Sequence, residues 1–293
     1  MRFPHAAATT LLTLTLATAS AWPAAAQTKK VPVGGRPTPG QTLRLNIVQD
    51  ADLTMKPSEA AAGASMPEMH LLAKTSTVVS QKVGTPDEKG ALQVDMTYEE
   101  ITQDMSLNGK PAPPEAAEAA LKIKGKTLSM SLDANGELLG VTPPPDFPMA
   151  PEMIKEMLKQ ALGLMPRQEL AVGETVTSPF AMNMPLPMPG EAPQLKGELK
   201  STLTGLSGAP GNEIAALQQV VTAAVDTTIA GPGGNQIAIK MTVTGNGTAD
   251  WDVKASLVKA SKMTTKIIGT LTLPGAGALE LNGTTMVNLE RVP

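Results

Sequence analysis

The chain has 293 residues, a formal net charge of −3, no cysteine and only 2% aromatic residues. Without cysteine it can form no disulfide and carry no acylated lipobox, and without a basic excess or aromatics it offers no nucleic-acid surface or stacking platform. The length still allows a sizeable core, to be built from Leu, Val, Ile, Ala and 17 Met.

Residues 1–26 read as an export leader. Arg2 precedes an apolar, threonine-rich run from Ala6 to Ala21, and Ala24-Ala25-Ala26 stands before Gln27 in the small-x-small pattern of a signal peptidase site. The run is too short to span a bilayer, and no later segment offers about 18 uninterrupted apolar residues, so no transmembrane segment is expected. These features predict a periplasmic or extracellular protein cleaved near Ala26, not a lipoprotein. Residues 27–39 are rich in Pro and Gly without periodicity and predict a flexible mature N-terminus.

Residues 40–148 read as a first β-rich half. Leu43, Leu45 and Ile47 alternate with Arg44, Asn46 and Val48, the period of a strand. After a loop, Leu71 to Val83 is rich in Thr and Val and reads as a second strand. Ala91 to Leu107 alternates again and ends at Asn108-Gly109. A Pro-rich loop leads to a strand over 121–133. Asn135-Gly136 then predicts a type I′ hairpin between Leu128–Asp133 and Glu137–Val141.

The run PPPDFP, residues 143–148, breaks the strand pattern. A helix is expected over 149–166, opened by Pro151 and stopped by Gly163 and Pro166. Met153, Ile154, Met157, Leu158, Ala161 and Leu162 form one apolar stripe, opposite Glu152, Lys155, Glu156, Lys159 and Gln160. Residues 167–293 read as a second β-rich half. It has a strand or two near 194–207, an ambiguous Ala/Val/Thr segment over 213–231 read as strand, and continuous alternation from Gln236 to Leu273. A last strand, ALELNGTTMVNLE, pairs back. The two halves look alike. An internal duplication is one reading, and the general similarity of antiparallel meanders is the other.

Four stretches carry a likeness to a known family: PGQTLRLNI, LSMSLDANGELLGV, LAVGETVTSPF and GNGTADWDVKASLVKASKMTTK. Over about residues 40–290 the chain resembles a family of uncharacterised exported bacterial proteins, domain of unknown function 6263. The resemblance implies a cell-envelope protein with a β-rich, lipoprotein-carrier-like fold. Many members are lipoproteins, whereas this chain lacks the necessary cysteine. The family has no established catalytic residues, so none is carried over.

The expected architecture is mainly β (α+β): curved antiparallel sheets or half-barrels in two similar halves, with one central amphipathic helix covering the apolar hollow. The expected function is non-enzymatic binding or carriage of a lipid, another apolar ligand or a lipidated partner. The stripe Met153, Ile154, Met157, Leu158, Ala161 and Leu162 would contact that ligand. No cofactor and no nucleic-acid partner are expected, and the oligomeric state is left open. A purely structural envelope protein is a further reading.

Other candidate chemistry is sparse. Met182, Met184 and Met188 could hold Cu(I) through soft thioethers, with Met66, Met69 and His70 as a second set; the plain alternative is that Met fills core space left by scarce aromatics. His70 could serve a nucleophilic triad, yet no Gly-x-Ser-x-Gly elbow accompanies it. Glu99 and Glu100, adjacent on a strand, should face opposite sides. Asp250 and Asp252 flank Trp251 and read as solvating a hairpin. The glycine-rich 231–235, Asn246-Gly247-Thr248 and Asn282-Gly283-Thr284 read as turns.

Overall fold

The structure, a computed structural model, describes residues 29–58, 67–112, 121–147, 149–183, 193–230, 236–273 and 277–293. The leader at 1–26, most of the loop between the first two long strands, and the glycine-rich 231–235 lie outside the described residues.

The alternating segments form long antiparallel strands. In the first part of the chain these are β2 (Thr42–Pro57), β3 (Met69–Pro86), β4 (Leu92–Leu107), β5 (Lys110–Pro111), β6 (Thr127–Leu132) and β7 (Leu138–Thr142). A helix, α1 (Pro151–Gly163), follows. Then come β9 (Thr175–Asn183), β10 (Gln194–Ser207), β11 (Ile214–Ala230), β12 (Gln236–Asp252), β13 (Leu257–Leu273) and β14 (Gly277–Val292). Two short strands, β1 (Val31–Val33) and β8 (Gln168–Leu170), pair separately.

The long strands make one sheet in the order β7-β6-β4-β3-β2-β14-β13-β12-β11-β10-β9, with β5 paired to β4. The mainly β architecture of curved antiparallel strands is the expected one, and its two runs of strands are joined edge to edge in this sheet. The two meanders are continuous, because the last strand β14 lies against the first long strand β2, with Val292 opposite Arg44 and Leu279 opposite Pro57. The helix carries the chain from one edge of the sheet to the other and packs on both edge strands, β7 and β9.

That contact requires a strongly curved sheet. Eleven strands laid flat would part their edges by about 48 Å at the usual strand spacing. A 13-residue helix is only about 20 Å long. The sheet therefore bends round until one helix bridges its edges, without closing into a barrel.

Glycines inside strands permit the bend. Gly247 and Gly283, expected in turns, sit within β12 and β14 and face inward. A Cβ on Gly247 would lie 2.3 Å from the carbonyl oxygen of Lys262, and one on Gly283 would lie 2.5 Å from that of Asp52. Gly197, Gly245 and Gly269 show the same close approach of neighbouring backbone, and together the five form a band across the middle of the sheet.

The hairpin turns also differ from expectation. At Asn108-Gly109 both residues take positive φ, 52° and 74°, as a type I′ turn needs. At residues 133–136 only Gly136 does, with φ 79°. There Asp133 closes a three-residue loop. Its backbone N–H donates to the Glu137 carbonyl at 2.9 Å, and its carboxylate accepts from the backbone N–H groups of Asn135 and Glu137. Asp87 closes the β3–β4 turn by the same device, with Gly90 in the left-handed position. Residues 122–125, expected as strand, form turns instead, and Leu121 before them is helical.

One end of the sheet is filled. Val83, Leu92, Val94, Met130 and Leu132 form a buried cluster there, covered by Leu158 and Leu162 of α1. Beside it, Val31, Val33 and Leu170 from the small sheet pack on Leu203, Leu217 and Trp251. The N-terminal segment from Lys29 is thus anchored rather than flexible. Lys29 pairs with Glu213, Lys30 with Glu174 at 3.1 Å, and the Thr38 hydroxyl donates to the Lys254 carbonyl at 2.8 Å.

Candidate functional site

The feature that sets this sheet apart is its inward face. Alternation along each strand, read with the pairing register, assigns one face to the hollow and the other to solvent. On the outward face lie Asp50, Asp52, Lys56, Lys74, Asp104, Lys240, Lys262, Lys266, Glu280 and Glu290. On the inward face of β2, β3, β4 and β9 to β14 there is, among the described residues, no Asp, Glu or Lys, and the sole charge is Arg291. That guanidinium sits at the filled end and donates to the Asp252 carboxylate at 3.0 Å.

The inward face divides into zones. At the filled end, Leu203, Ala215, Leu217 and Trp251 are fully buried. At the opposite end, Leu195, Val225, Ile237 and Ile239 form a third buried cluster, with Phe180, Met182 and Met241 against it. Between them, at the back of the hollow, the inward side chains of β2 and β13 are only half-buried or more exposed, and on β14 only Leu279 is buried. Beside the third cluster a cavity of about 170 Å³ opens, lined by Met55, Ile239, Met241, Leu271, Leu279 and Leu281.

A band of polar and small residues crosses the face between the two buried ends. Gln103, Thr75 and Gln49 stand side by side on β4, β3 and β2. Further along the same row come Val287, Met263, Gly247, Gln219 and Ser201. In the next row, Thr265 and Thr285 share a hydrogen bond of 2.6 Å. Gln49 is exposed, while the side-chain oxygen of Gln103 is buried without a partner.

The helix stripe reaches this hollow only in part. Ile154 is fully buried, and Leu158 and Leu162 pack on the filled end. Met153, Met157 and Ala161 face solvent; Met153 is 55% and Met157 50% exposed. The helix takes this roll because its inward line is the i, i+4, i+8 row 154–158–162, a narrower stripe than the sequence offers. It closes one end of the hollow instead of lying along it. Arg167 ties it down, donating to the carbonyls of Gly136 at 3.1 Å and Leu162 at 3.4 Å.

Of the candidate copper ligands, Met182 is half-buried against the third cluster, and Met69 lies on β3. Met66, Met184 and Met188 lie outside the described residues. His70 stands on the outward face with Nε2 2.8 Å from Asp52. Glu99 and Glu100 depart from expectation: a bulge opposite Val78 and Val79 turns both toward Arg44, at 2.6 Å and 3.7 Å. Hydrogen bonding to Glu99 raises the Arg44 pKa above its ordinary value. Asp252 is engaged by Arg291 and the Ala255 N–H, and Trp251 beside it is core. Asn246-Gly247-Thr248 and Asn282-Gly283-Thr284 are mid-strand, not turns.

What the sequence missed is the polar row. Gln49, Thr75 and Gln103 each look like ordinary strand residues, and only the cross-strand register brings them together. No family model matches the chain, and no curated protein matches it. Among solved structures it is similar to one of lipovitellin concerned with lipid–protein interactions, at 10% identity and a TM-score of 0.49. That match covers 87% of this chain and 25% of the lipovitellin chain, so the protein spans about a quarter of that relative's length. An outer membrane channel from Pseudomonas putida F1 matches at 10% identity and a TM-score of 0.20, over 91% of this chain and 98% of that one. No helix among the described residues is long and apolar enough to cross a membrane.

Proposed function

We propose that this is an exported, non-enzymatic carrier that holds the hydrocarbon part of a lipid or other apolar ligand in the hollow of its sheet. The observation that carries the reading is the inward face, which among the described residues bears no charge but Arg291 at its filled end and stays half-buried at its back. A sheet this wide ordinarily buries its apolar face under a second layer. Here, among the described residues, α1 and the β1–β8 pair cover one end. Leu53, Met263, Ile267, Leu281 and Val287 stay half-buried, although full burial of each would contribute about 1.5–3 kcal/mol. A hydrocarbon chain laid along them would recover part of that. The export assignment rests on the leader-like residues 1–26, and the resemblance to exported bacterial envelope proteins agrees with it.

The test is native mass spectrometry and organic extraction of protein purified from a bacterial periplasm, with titration of the delipidated protein by the fluorescent hydrocarbon diphenylhexatriene. Co-purifying lipid and saturable probe binding are expected. Ile267→Glu and Leu281→Glu should each abolish probe binding while circular dichroism stays unchanged. Protein that carries no lipid and binds no probe would overturn the reading.

A further inference from the structure

We infer that the ligand is an amphiphile with an uncharged, hydrogen-bonding head group, held at the row Gln49–Thr75–Gln103 with its tail running toward Ile237. This rests on the carrier reading above and names the ligand class.

The first reason is electrostatic. A carboxylate or phosphate buried in an apolar hollow needs a cation or several donors to offset lost hydration. Among the described residues the inward face supplies one cation, Arg291, which lies at the filled end, away from the polar row, and donates through Nη1 to Asp252 while Nε and Nη2 are buried without a partner. A cationic head meets the same difficulty, since the described part of the face has no inward carboxylate. Ionic lipids are thereby disfavoured.

The second reason is the polar row itself. An apolar face gains nothing from amides unless something hydrogen-bonds them, and a buried polar atom left unpaired is costly. The Gln103 side-chain oxygen is buried and unpartnered. It is an acceptor that a hydroxyl or amide N–H of a ligand would satisfy. Gln49 and Thr75 on the next two strands add donors and acceptors suited to an ester or a second hydroxyl. Gln49 is exposed to water, so a head group there would keep part of its hydration. A mostly apolar site with a few convergent polar groups is the usual form of a small-molecule pocket, the polar groups fixing orientation.

The third reason is length. From Gly245, one row on from the amides, to Ile237 the strand β12 runs about 27 Å. Its inward residues are Met241, Val243, Ile237 and Ile239. One leaflet of bilayer hydrocarbon is about 15 Å deep, so the run is long enough for an extended acyl chain, with Met241 and Val243 half-buried along it and Ile237 and Ile239 buried at its far end.

The experiment is displacement of bound diphenylhexatriene by a monoacylglycerol and by the fatty acid of the same chain length at pH 8. The monoacylglycerol should displace the probe about tenfold more effectively, the effect of one or two net hydrogen bonds. In the double variant Gln49→Leu, Gln103→Leu the two should become equal while the probe still binds. Should the leucines unfold the sheet, as read by circular dichroism, the isosteric Thr75→Val, Thr265→Val variant repeats the measurement and should narrow the difference. Equal displacement by both lipids in the unaltered protein, or a preference for the fatty acid, overturns the inference and leaves the carrier reading standing. Failure of the probe to bind overturns both.

Discussion

At the scale of single residues, the strand glycines separate what local propensity says from what the sheet requires. Gly in a strand interior is ordinarily unfavourable, and replacing it where there is room costs little. A Cβ added at Gly205 would meet nothing within 4 Å, and its φ is not positive, whereas one added at Gly247 would lie 2.3 Å from the Lys262 carbonyl oxygen. Gly205→Ala should therefore shift stability by under about 0.5 kcal/mol, while Gly247→Ala should cost about 1–3 kcal/mol through forced backbone displacement. Chemical denaturation of the two variants checks this; equal effects would mean that the band of glycines is not what lets the sheet bend. From sequence alone Gly247 and Gly283 resemble turn residues, because Asn-Gly is a turn signal and nothing local reveals how closely a neighbouring strand's backbone approaches. Glu99 and Glu100 escape a sequence reading for a related reason: strict alternation holds only where no bulge interrupts the ladder, and this bulge is defined by the partner strand, at Val78 and Val79.

At the scale of elements, α1 and β1 close the filled end in different ways. For α1 the weight rests on Ile154. Truncating it to Ala should cost about 2–5 kcal/mol, whereas Met153→Gln and Met157→Gln, on the exposed side, should be near neutral; thermal unfolding distinguishes the two classes. For β1 part of the hold is ionic. Hydrogen bonding to Lys29, then to the Gly211 N–H, lowers the Glu213 pKa, and the Ala171 N–H, then Lys30, lowers that of Glu174, each from an ordinary value of 4.5. Depressed carboxylates bind fewer protons folded than unfolded, so their stabilisation is fully present above about pH 4.5 and is lost as pH falls through the lower folded values. Changing both glutamates to Gln should flatten the stability profile below pH 4.5 and leave it little altered in slope above pH 6, as measured by denaturation across pH. The helix was legible in its bounds, because Pro151 and Gly163 punctuate a 3.6-residue period. Its roll was not, since a six-residue stripe does not say which half meets the sheet. β1 was illegible because three residues carry no period and their partner β8 lies on the far side of the helix in sequence.

At the scale of the whole molecule, the long strands announced themselves and the fold class followed from them. The order of those strands did not. Both meanders could be read hairpin by hairpin, but nothing in either one states that β14 pairs with β2 and makes a single sheet of the two. The carrier reading depends on that seam, because the half-buried back of the hollow is formed by β2, β14 and β13. The asymmetry between an inside with Arg291 as the one charge among the described residues and a charged outside likewise exists only once every strand has been given its facing.

The seam also sets a timetable for self-assembly. Each meander can zip up from its own adjacent hairpins, but β2 keeps an open ladder until the final sixteen-residue strand arrives. Such distant pairing is slow to form, and a chain stopped short of Gly277 would leave both β2 and β13 as bare templates for a neighbour's backbone. A chain of this design depends on being kept apart from its fellows until its last strand is delivered.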